Sequence, residues 1–174
     1  VADFISQISC KNVILDPVMK SSSGGRLFME ESIELLKDLL FPHITLITRN
    51  FAEANILTNE SVVEFEHLPG LAKKCIERGV DSVLIKGGHL KSKKVEDIFL
   101  NKRDLKVFYS LRYKTKNTHG TGCTLSSAIT TLFSCGKSLK KACELGIKYV
   151  NSAILTNPKY GKGHGPINHL NSTN

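Results

Sequence analysis

The sequence has little that would suggest disulfides, a thiolate metal site or insertion into a membrane. Its five cysteines include no CxxC pair, and their odd number and irregular spacing argue against a disulfide framework and a zinc site. No apolar run approaches the roughly 20 residues that a membrane-spanning helix needs. The opening residues also lack the pattern of a secretory signal. These absences predict a cytoplasmic protein with no membrane partner.

Two kinds of binding motif are also missing. No GxxxxGK[ST] sequence occurs, so the chain has no Walker-type phosphate loop. The formal net charge of +8 would suit an anionic partner. However, the basic residues are scattered, and neither a recognition motif nor an aromatic platform accompanies them. The sequence therefore argues against nucleic-acid binding.

The apolar segments alternate between strand-like and helix-like patterns. Strands are predicted at residues 11–16, 44–48, 82–86, 95–100 and 105–113. A flexible loop is expected at 20–25, and two late helices are predicted, one starting near Thr121 and one capped by Ser138. Strands that alternate with helices imply a mostly parallel sheet covered on both faces. With no repeat and no linker, residues 1–174 are expected to form a single α/β domain.

The most informative motif is Gly120-Thr121-Gly122-Cys123, which leads directly into a helical run. The glycines let the backbone approach a ligand closely, and the N–H groups of Thr121 to Thr124 would lie at the positive end of a helix dipole. Such groups can stabilise the charge that grows on a transferred phosphoryl group. A plain glycine turn before a helix is the alternative.

Cys123 lies in the field of that helix terminus, which favours the thiolate. It is therefore a candidate base or nucleophile. The alternative is a small, inert core residue, as most cysteines are, and position alone does not decide between the two. The other four cysteines are interpreted as small buried hydrophobic residues.

Polar residues follow each of the first three predicted strands. Asp16 follows the first strand, Thr48 to Glu53 follow the second, and Lys86 to His89 follow the third. In parallel α/β sheets, ligands bind beyond the carboxyl ends of the strands. We therefore expect these residues and the glycine motif to form one site.

Several of these residues have two interpretations. Asn50 and Glu53 could contact phosphate and Mg²⁺, or they could form a helix capping box, which the sequence slightly favours. Asp16 is either a turn-former or a second acidic group near the metal. Lys86 either meets an anion or extends its ammonium group to solvent. His89 is more simply explained as a polar loop residue than as a ligand contact.

Five segments that carry these residues follow one another over nearly the whole chain. They are DPVMKSSSGGRL (16–27), ITRNFAEANIL (47–57), VLIKGGHL (83–90), KNTHGTGCTLSSAI (116–129) and GKGHGPINH (161–169). Together they resemble the hydroxymethylpyrimidine/phosphomethylpyrimidine kinases, the thiamine-biosynthesis branch of the ribokinase-like superfamily. The resemblance implies a three-layer α/β/α sandwich. It also implies ATP- and Mg²⁺-dependent phosphorylation of 4-amino-5-hydroxymethyl-2-methylpyrimidine and then of its monophosphate.

The resemblance also implies roles around the glycine motif. Gly120, Thr121 and Gly122 would form the anion hole, and Cys123 would be the catalytic base beside the substrate. Most ribokinase-like sugar kinases have Asp at that position, so Cys123 indicates the pyrimidine-kinase branch. Val18 would line the pyrimidine pocket.

For the strand ends, the resemblance implies nucleotide and metal binding. Asn50 and Glu53 match the superfamily's NxxE element for Mg²⁺ and phosphate. Asp16 and Thr48 would border the metal and phosphate region, with Asp16 and Glu53 as metal-binding groups. Lys86 would approach the ATP phosphates.

The resemblance covers the C-terminal two-thirds of such a kinase. Family members begin with a further segment that includes a glycine-rich strand and loop for the pyrimidine, and residues 1–11 do not resemble it. We therefore expect an N-terminally truncated kinase domain whose activity alone is an open question, and whose full-length relatives are homodimers. A pyridoxal-type kinase and a non-catalytic nucleotide-binding remnant are the alternatives.

Overall fold

The computed structural model describes residues 1–8, 10, 12–19, 25, 27–62, 64–88 and 94–171. The chain divides into two compact units, one comprising Val1–Lys91 with Val95–Tyr109 and the other Ser92–Lys94 with Ser110–Asn174. In the part described, no helix combines the length and the apolar character needed to cross a bilayer. The loop predicted at 20–25 lies outside the described residues except for Gly25, and so does His89.

A five-stranded sheet lies in the first unit except for Lys94, Ser110 and Leu111, which belong to the second. Its strands, in hydrogen-bonded order, are β1 (Ile14–Leu15), β2 (Leu46–Asn50), β3 (Ser82–Lys86), β4 (Lys94–Asn101) and β5 (Leu105–Leu111). The helices of this unit are α1 (Ala2–Gln7), α2 (Glu30–Leu40), α3 (Phe51–Thr58) and α4 (Leu68–Glu77). Short 3₁₀ helices lie at Phe41–His43 and Phe65–His67.

The register of the sheet brings the ends of β2 and β3 level with each other, whereas β1 ends level with Ile47, three residues before the end of β2. β1, β2 and β3 are parallel, with Leu15 paired to Ile47 and Asn50 paired to Lys86, whereas β4 runs antiparallel to β3. The predicted α/β fold with a mostly parallel sheet is thus confirmed. The first strand is shorter than predicted, because only two residues pair where the pattern indicated residues 11–16.

The core of the first unit explains why these segments form these elements. β2 and β3 are almost continuously buried, which is typical of strands covered on both faces. α4 turns Leu71 and Cys75 inward, carries Pro69 in its first turn, and is followed by Gly79 with φ of +108°. Helix α1 has no buried residue, and the sequence patterns did not predict it.

The second unit contains two helices, α5 (Thr121–Ser134) and α6 (Leu139–Leu155). They pack closely at Gly146, where a Cβ atom would lie 2.9 Å from Ile129 Cγ1 and 3.3 Å from Leu125 Cδ1. Ser138 caps α6, as its sequence position predicts. The described residues after α6 form no further helix.

Candidate active site

The first unit places three of the predicted polar residues at one edge of its sheet. Asn50 is the last residue of β2, and its pairing partner Lys86 is the last residue of β3. Asp16 comes directly after β1. Neighbouring strands lie about 4.8 Å apart, so the backbones of Asn50 and Lys86 are adjacent, while Asp16 is level with Thr48, two residues before Asn50. The fourth predicted element, the glycine motif, belongs to the second unit, and its place in the same site stays a prediction.

Asn50 and Glu53 form the capping box that the sequence slightly favoured. The Asn50 side chain accepts a hydrogen bond from the Glu53 N–H at 2.8 Å, and Glu53 Oε2 accepts one from the Asn50 N–H at 3.1 Å. Glu53 Oε1 also accepts a bond from the Met19 N–H at 3.4 Å, which connects α3 to the segment after β1. Val18, next to it, is 37 % exposed, so its side chain remains accessible.

Two buried oxygen atoms near this edge have no hydrogen-bond partner among the described residues. They are Asp16 Oδ2 and Thr48 Oγ1. Because Leu15 pairs with Ile47, Asp16 and Thr48 follow at one level on neighbouring strands and on the same face of the sheet. Unsatisfied buried oxygens are costly, which suggests a missing partner.

These oxygens fit a magnesium ion. Mg²⁺ prefers oxygen ligands, and it is usually held by one or two carboxylates while water and substrate phosphates complete its shell. No cluster of three or more His, Cys, Asp or Glu residues suited to a metal occurs in the described part of the chain. The donor set therefore suits a cation that arrives with phosphate better than one held in an all-protein cage.

Arg49 is a residue of this region that the sequence reasoning missed. It is fully buried, and its Nη1 donates a hydrogen bond to the Pro17 carbonyl oxygen. Its Nε and Nη2 have no partner among the described residues. Burial lowers the pKa of Arg49 to about 10, against the opposing effect of nearby acidic groups. The sequence signal that could have identified Arg49 was a charged residue inside a buried strand pattern. Arginine is almost never fully buried unless it is paired, so such a position indicates a special environment.

Asp97 of β4 was also missed. Its Oδ1 accepts a hydrogen bond from the Gly87 N–H at 3.0 Å, which fixes the backbone directly after Lys86. Burial raises the pKa of Asp97 to about 6, although that hydrogen bond and the charge of Lys86 oppose the shift. A Cβ atom at Gly87 would lie 2.1 Å from the Glu96 carbonyl oxygen, so only glycine allows the backbone of β4 to approach this closely.

In the glycine turn of the second unit, fewer backbone N–H groups are free to bind an anion than the sequence indicated. Gly120 has φ of +87°, a left-handed conformation that glycine adopts without strain. The N–H of Thr121 donates to a preceding carbonyl at 3.3 Å, and that of Thr124 donates to the Gly120 carbonyl at 3.0 Å. In the described structure, the N–H groups of Gly122 and Cys123 are left without an acceptor. Of the four N–H groups from Thr121 to Thr124 that the sequence indicated for an anion, two are therefore left to meet one.

The cysteines divide differently from the prediction. Cys123 is exposed in the first turn of α5, so its thiol is accessible to a ligand. Cys75 and Cys143 are buried, and burial raises the pKa of their thiols to about 11 and about 12. The prediction was wrong for Cys10 and Cys135, which are exposed.

Within the second unit, the closing segment packs against the residues before the glycine turn. The His119 N–H donates to the Gly165 carbonyl at 3.2 Å, and the Gly165 N–H donates to Asn117 Oδ1 at 3.0 Å. The ring of His169 lies 3.5 Å from the position that a Cβ atom would take at Gly120. The closing segment therefore helps to hold the residues before the glycine turn in place.

Comparison with known sequences identifies relatives over nearly the whole chain. The family described as phosphomethylpyrimidine kinase matches residues 1–168. A thiamine biosynthesis bifunctional protein of Geobacter sulfurreducens is 36% identical over 170 residues, which cover 98% of this chain and 35% of the relative. A hydroxymethylpyrimidine/phosphomethylpyrimidine kinase of Bacillus subtilis is 35% identical over 174 residues, covering 98% of this chain and 63% of the relative. The chain thus spans less than two-thirds of the length of these curated relatives.

Comparison with solved structures identifies kinases that share the fold of this chain. The Bacillus subtilis pyridoxal kinase in an ADP complex matches with a TM-score of 0.88 and 31% identity, over 97% of this chain and 64% of that chain. The phosphomethylpyrimidine kinase from Clostridium difficile matches with a TM-score of 0.73 and 33% identity, over 88% of this chain and 62% of that chain. These proteins have the ribokinase-like fold, as the sequence resemblance implied. The chain belongs to the phosphomethylpyrimidine kinase family.

Proposed function

We propose that the chain takes part in a kinase reaction that transfers the γ-phosphoryl group of ATP to 4-amino-5-hydroxymethyl-2-methylpyrimidine and then to its monophosphate, for thiamine biosynthesis. One observation carries the proposal beyond family membership. Asn50 and Lys86 are paired at the ends of β2 and β3, and Asp16 lies level with Thr48, with an unsatisfied buried oxygen on each of these last two residues. The ADP complex of the pyridoxal kinase neighbour supports the use of ATP.

In this proposal the first unit binds the nucleotide phosphates. Asn50 Oδ1 is used in the capping box, which leaves its Nδ2 to donate to a phosphate oxygen. The Lys86 ammonium supplies a positive charge to the phosphates. Asp16, Thr48 and Glu53 would hold Mg²⁺, directly or through water, and the ion would neutralise charge on the phosphates when bound.

The second unit supplies backbone donors and a base. The N–H groups of Gly122 and Cys123 stabilise negative charge in the transition state. In the first step, Cys123 takes the proton of the CH₂OH group as the alcohol oxygen bonds to the γ-phosphorus and the bond from that phosphorus to the ADP oxygen breaks. In the second step, the acceptor is a phosphate monoester with a second pKa of roughly 6, which is already mostly ionised at neutral pH. We therefore expect Cys123 to matter more in the first step.

A coupled assay of ADP release tests the choice of substrate. The chain is mixed with Mg-ATP and, separately, the pyrimidine alcohol, its monophosphate and pyridoxal. Turnover of both pyrimidines is expected. Because the chain spans less than two-thirds of its relatives, the same assay is run on a chimera that adds the N-terminal segment of the Bacillus subtilis kinase.

A pyridoxal-type kinase is the second candidate, favoured by the TM-score of 0.88 with a pyridoxal kinase. Exclusive turnover of pyridoxal in the assay would establish that activity in place of the first. The third candidate is a nucleotide-binding remnant. Calorimetry separates it from a kinase, because a remnant would bind Mg-ATP while the chimera shows no turnover of any acceptor.

We also propose a cytoplasmic homodimer. The five free thiols suit a reducing compartment. The edge strand β5 leaves Tyr109 65 % and Leu111 67 % exposed, which provides an apolar surface for association. Light scattering at micromolar concentration should give twice the mass of one chain, and the mass of a single chain would contradict the proposal.

A further inference from the structure

Asn117 is a buried polar residue of the second unit that lies three positions before Gly120. The residue is only 9 % exposed. Its Oδ1 accepts a hydrogen bond from the Gly165 N–H at 3.0 Å, and its Nδ2 donates one to Asn157 Oδ1 at 2.6 Å. Asn117 therefore connects three parts of the unit: the residues before α5, the residues after α6, and the closing segment, defined as residues 161–169.

Backbone groups determine the direction of these two hydrogen bonds. The Gly165 N–H can only donate, so it requires an oxygen atom of Asn117. The Ile154 carbonyl can only accept, and it takes the Nδ2 of Asn157 at 2.8 Å, which turns Asn157 Oδ1 toward Asn117. The position thus needs an acceptor and a donor on one short side chain. Asparagine has both, whereas an ionised aspartate can only accept.

The attachment to the closing segment extends along residues 117–119. The His119 N–H donates to the Gly165 carbonyl at 3.2 Å, and the Ile167 N–H donates to the His119 carbonyl at 3.3 Å. Both bonds are longer than those of Asn117, and His119 is exposed whereas Asn117 and Gly165 are buried. A hydrogen bond is stronger in the low dielectric of the interior, so Asn117 contributes the firmer part of the attachment.

The glycine turn follows directly from this attached segment. Gly120 has φ of +87°, and the next N–H donates back to the Thr118 carbonyl at 3.3 Å. On its other side the turn continues into α5, which packs closely on α6 at Gly146. Between these two anchors lie the N–H groups of Gly122 and Cys123, which have no acceptor in the described structure. Their direction therefore depends on how firmly residues 117–119 are held.

We propose that Asn117 is a positioning residue for the glycine turn, because its buried amide attaches residues 117–119 to the closing segment and so fixes the direction of the Gly122 and Cys123 N–H groups. This inference rests on the anion-binding role proposed above for those two groups. Asn117 touches neither the transferred phosphoryl group nor the acceptor. It keeps two donors aimed at one point, as preorganised stabilisation of an anion requires.

Binding of inorganic phosphate to the 174-residue chain tests the proposal, measured by the shifts of backbone amide resonances in ¹⁵N–¹H spectra. In the wild type, the resonances of Gly122 and Cys123 should shift together as phosphate is added. Asn117→Ala should weaken phosphate binding about three- to tenfold, the size of a partly lost hydrogen bond to a charged acceptor.

Asn151→Ala is the matched control. Asn151 lies in α6 of the same unit, and its Nδ2 donates to Ser110 Oγ at 2.7 Å, a bond that involves neither residues 117–119 nor the closing segment. This variant should lose stability in a urea titration while its phosphate affinity stays at the wild-type level. A purely structural role for Asn117 would make the two variants alike, with lower stability and unchanged phosphate affinity.

A second variant tests the attachment from the closing segment, and it serves if Asn117→Ala does not fold. In Gly165→Ala, the added Cβ atom would lie 2.6 Å from Asn117 Oδ1, so the closing segment must move away while Asn117 itself is unchanged. We expect the same weakening of phosphate binding. Gly163→Ala is its control, because a Cβ atom there meets no atom within 4 Å.

Two results would overturn the proposal. One is wild-type phosphate affinity in a folded Asn117→Ala or Gly165→Ala chain, and the other is a wild-type chain in which Gly122 and Cys123 do not respond to phosphate. No kinase activity enters these measurements. Failure of the proposed function would therefore appear as absent turnover with the effect of Asn117→Ala intact. Failure of this inference would appear as turnover of both pyrimidines with equal phosphate affinity in Asn117→Ala and Asn151→Ala.

Discussion

The charged and charge-binding groups of the two units come from different parts of the polypeptide. The first unit uses side chains that are buried, such as Arg49, Glu53 and Asp97. The second unit uses the backbone of a glycine turn and an exposed thiol, Cys123. Buried charges change the stability of the fold because desolvation and pairing set their energies. Backbone donors at a helix terminus carry no such cost, since they exist whenever the helix forms.

This difference predicts two kinds of mutational response. Changes at the buried charges of the first unit should alter stability and ligand binding together. Changes at the exposed thiol of the second unit should alter chemistry with little effect on stability. Each experiment below therefore pairs a substitution with a control that differs in one physical property.

The largest effect is expected for Cys123→Ala, on activity alone. Loss of a general base typically lowers the rate about 10²- to 10⁴-fold, and we expect about 10²- to 10³-fold for kcat with the alcohol and a smaller loss with the monophosphate. The thiol is exposed, so the thermal midpoint should not change. Cys135→Ala, at the other end of the same helix, is the control. Equal losses with both substrates would contradict the proposed role of the thiol.

Gly87→Ala should cause the largest loss of stability. The added Cβ atom would lie 2.1 Å from the Glu96 carbonyl oxygen, so β3 and β4 must separate. We expect a loss of about 3 kcal/mol in the free energy of unfolding, at the upper end for overpacking. Gly88→Ala is the matched control, because a Cβ atom there meets no atom within 4 Å. Urea titration of both variants measures the difference, and similar midpoints would argue against the close approach of β4.

Asp97→Asn should change the dependence of stability on pH. Burial raises the pKa of Asp97 to about 6 from an ordinary value of 3.8. The folded state therefore binds the proton more tightly, and the associated stabilisation is present below about pH 4 and is lost as pH rises to about 6. The asparagine variant does not lose this stabilisation as the pH rises. Its free energy of unfolding should therefore exceed that of the wild type at pH 7 by on the order of 2 kcal/mol, and should be similar to it at pH 4.

Urea titrations of wild type and Asp97→Asn at several pH values between 4 and 8 measure this difference. Asp81→Asn removes an exposed carboxylate of the same unit and should give a much smaller change. A stability difference between Asp97→Asn and wild type that does not vary with pH would show that burial does not perturb Asp97.

The smallest effects concern the two helix caps. Asn50→Ala removes the capping box of α3 and should cost about 1–2 kcal/mol, whereas Ser138→Ala at α6 should cost about 1 kcal/mol or less, because its single capping bond is long at 3.4 Å. Asn50→Asp is the informative variant, since aspartate caps equally well but lacks the amide donor. We expect near wild-type stability with weaker ATP binding, measured by calorimetry. Unchanged ATP affinity would limit Asn50 to a structural role.

Local patterns in the sequence predicted the elements that local physics controls. The strand over residues 82–86, the helix start at Thr121 and the caps at Asn50 and Ser138 all agree with the structure. Each depends on hydrophobic periodicity or on hydrogen bonds that span a few residues. The first strand was overestimated because strand pairing, not apolar character, decides its length, and only Ile14–Leu15 pair with β2.

The long-range contacts could not be predicted in the same way. The bond from Gly87 to Asp97 depends on the antiparallel register of β4, and the contact of Met19 with Glu53 joins residues 34 positions apart. Only the N–H groups of Gly122 and Cys123 remain for an anion, and this depends on which carbonyl oxygens the turn brings within hydrogen-bonding distance of the other two. Sequence spacing contains none of this information.

The sequence by itself determined the α/β fold, the glycine turn at the start of α5 and membership of the phosphomethylpyrimidine kinase family, because these follow from local periodicity and from motifs in order. The tertiary structure alone decided that Arg49 and Asp97 are buried and that Asp16 and Thr48 keep unsatisfied oxygens. Burial depends on which distant segments cover a residue. The energy of a charge depends on that burial far more than on its neighbours along the chain.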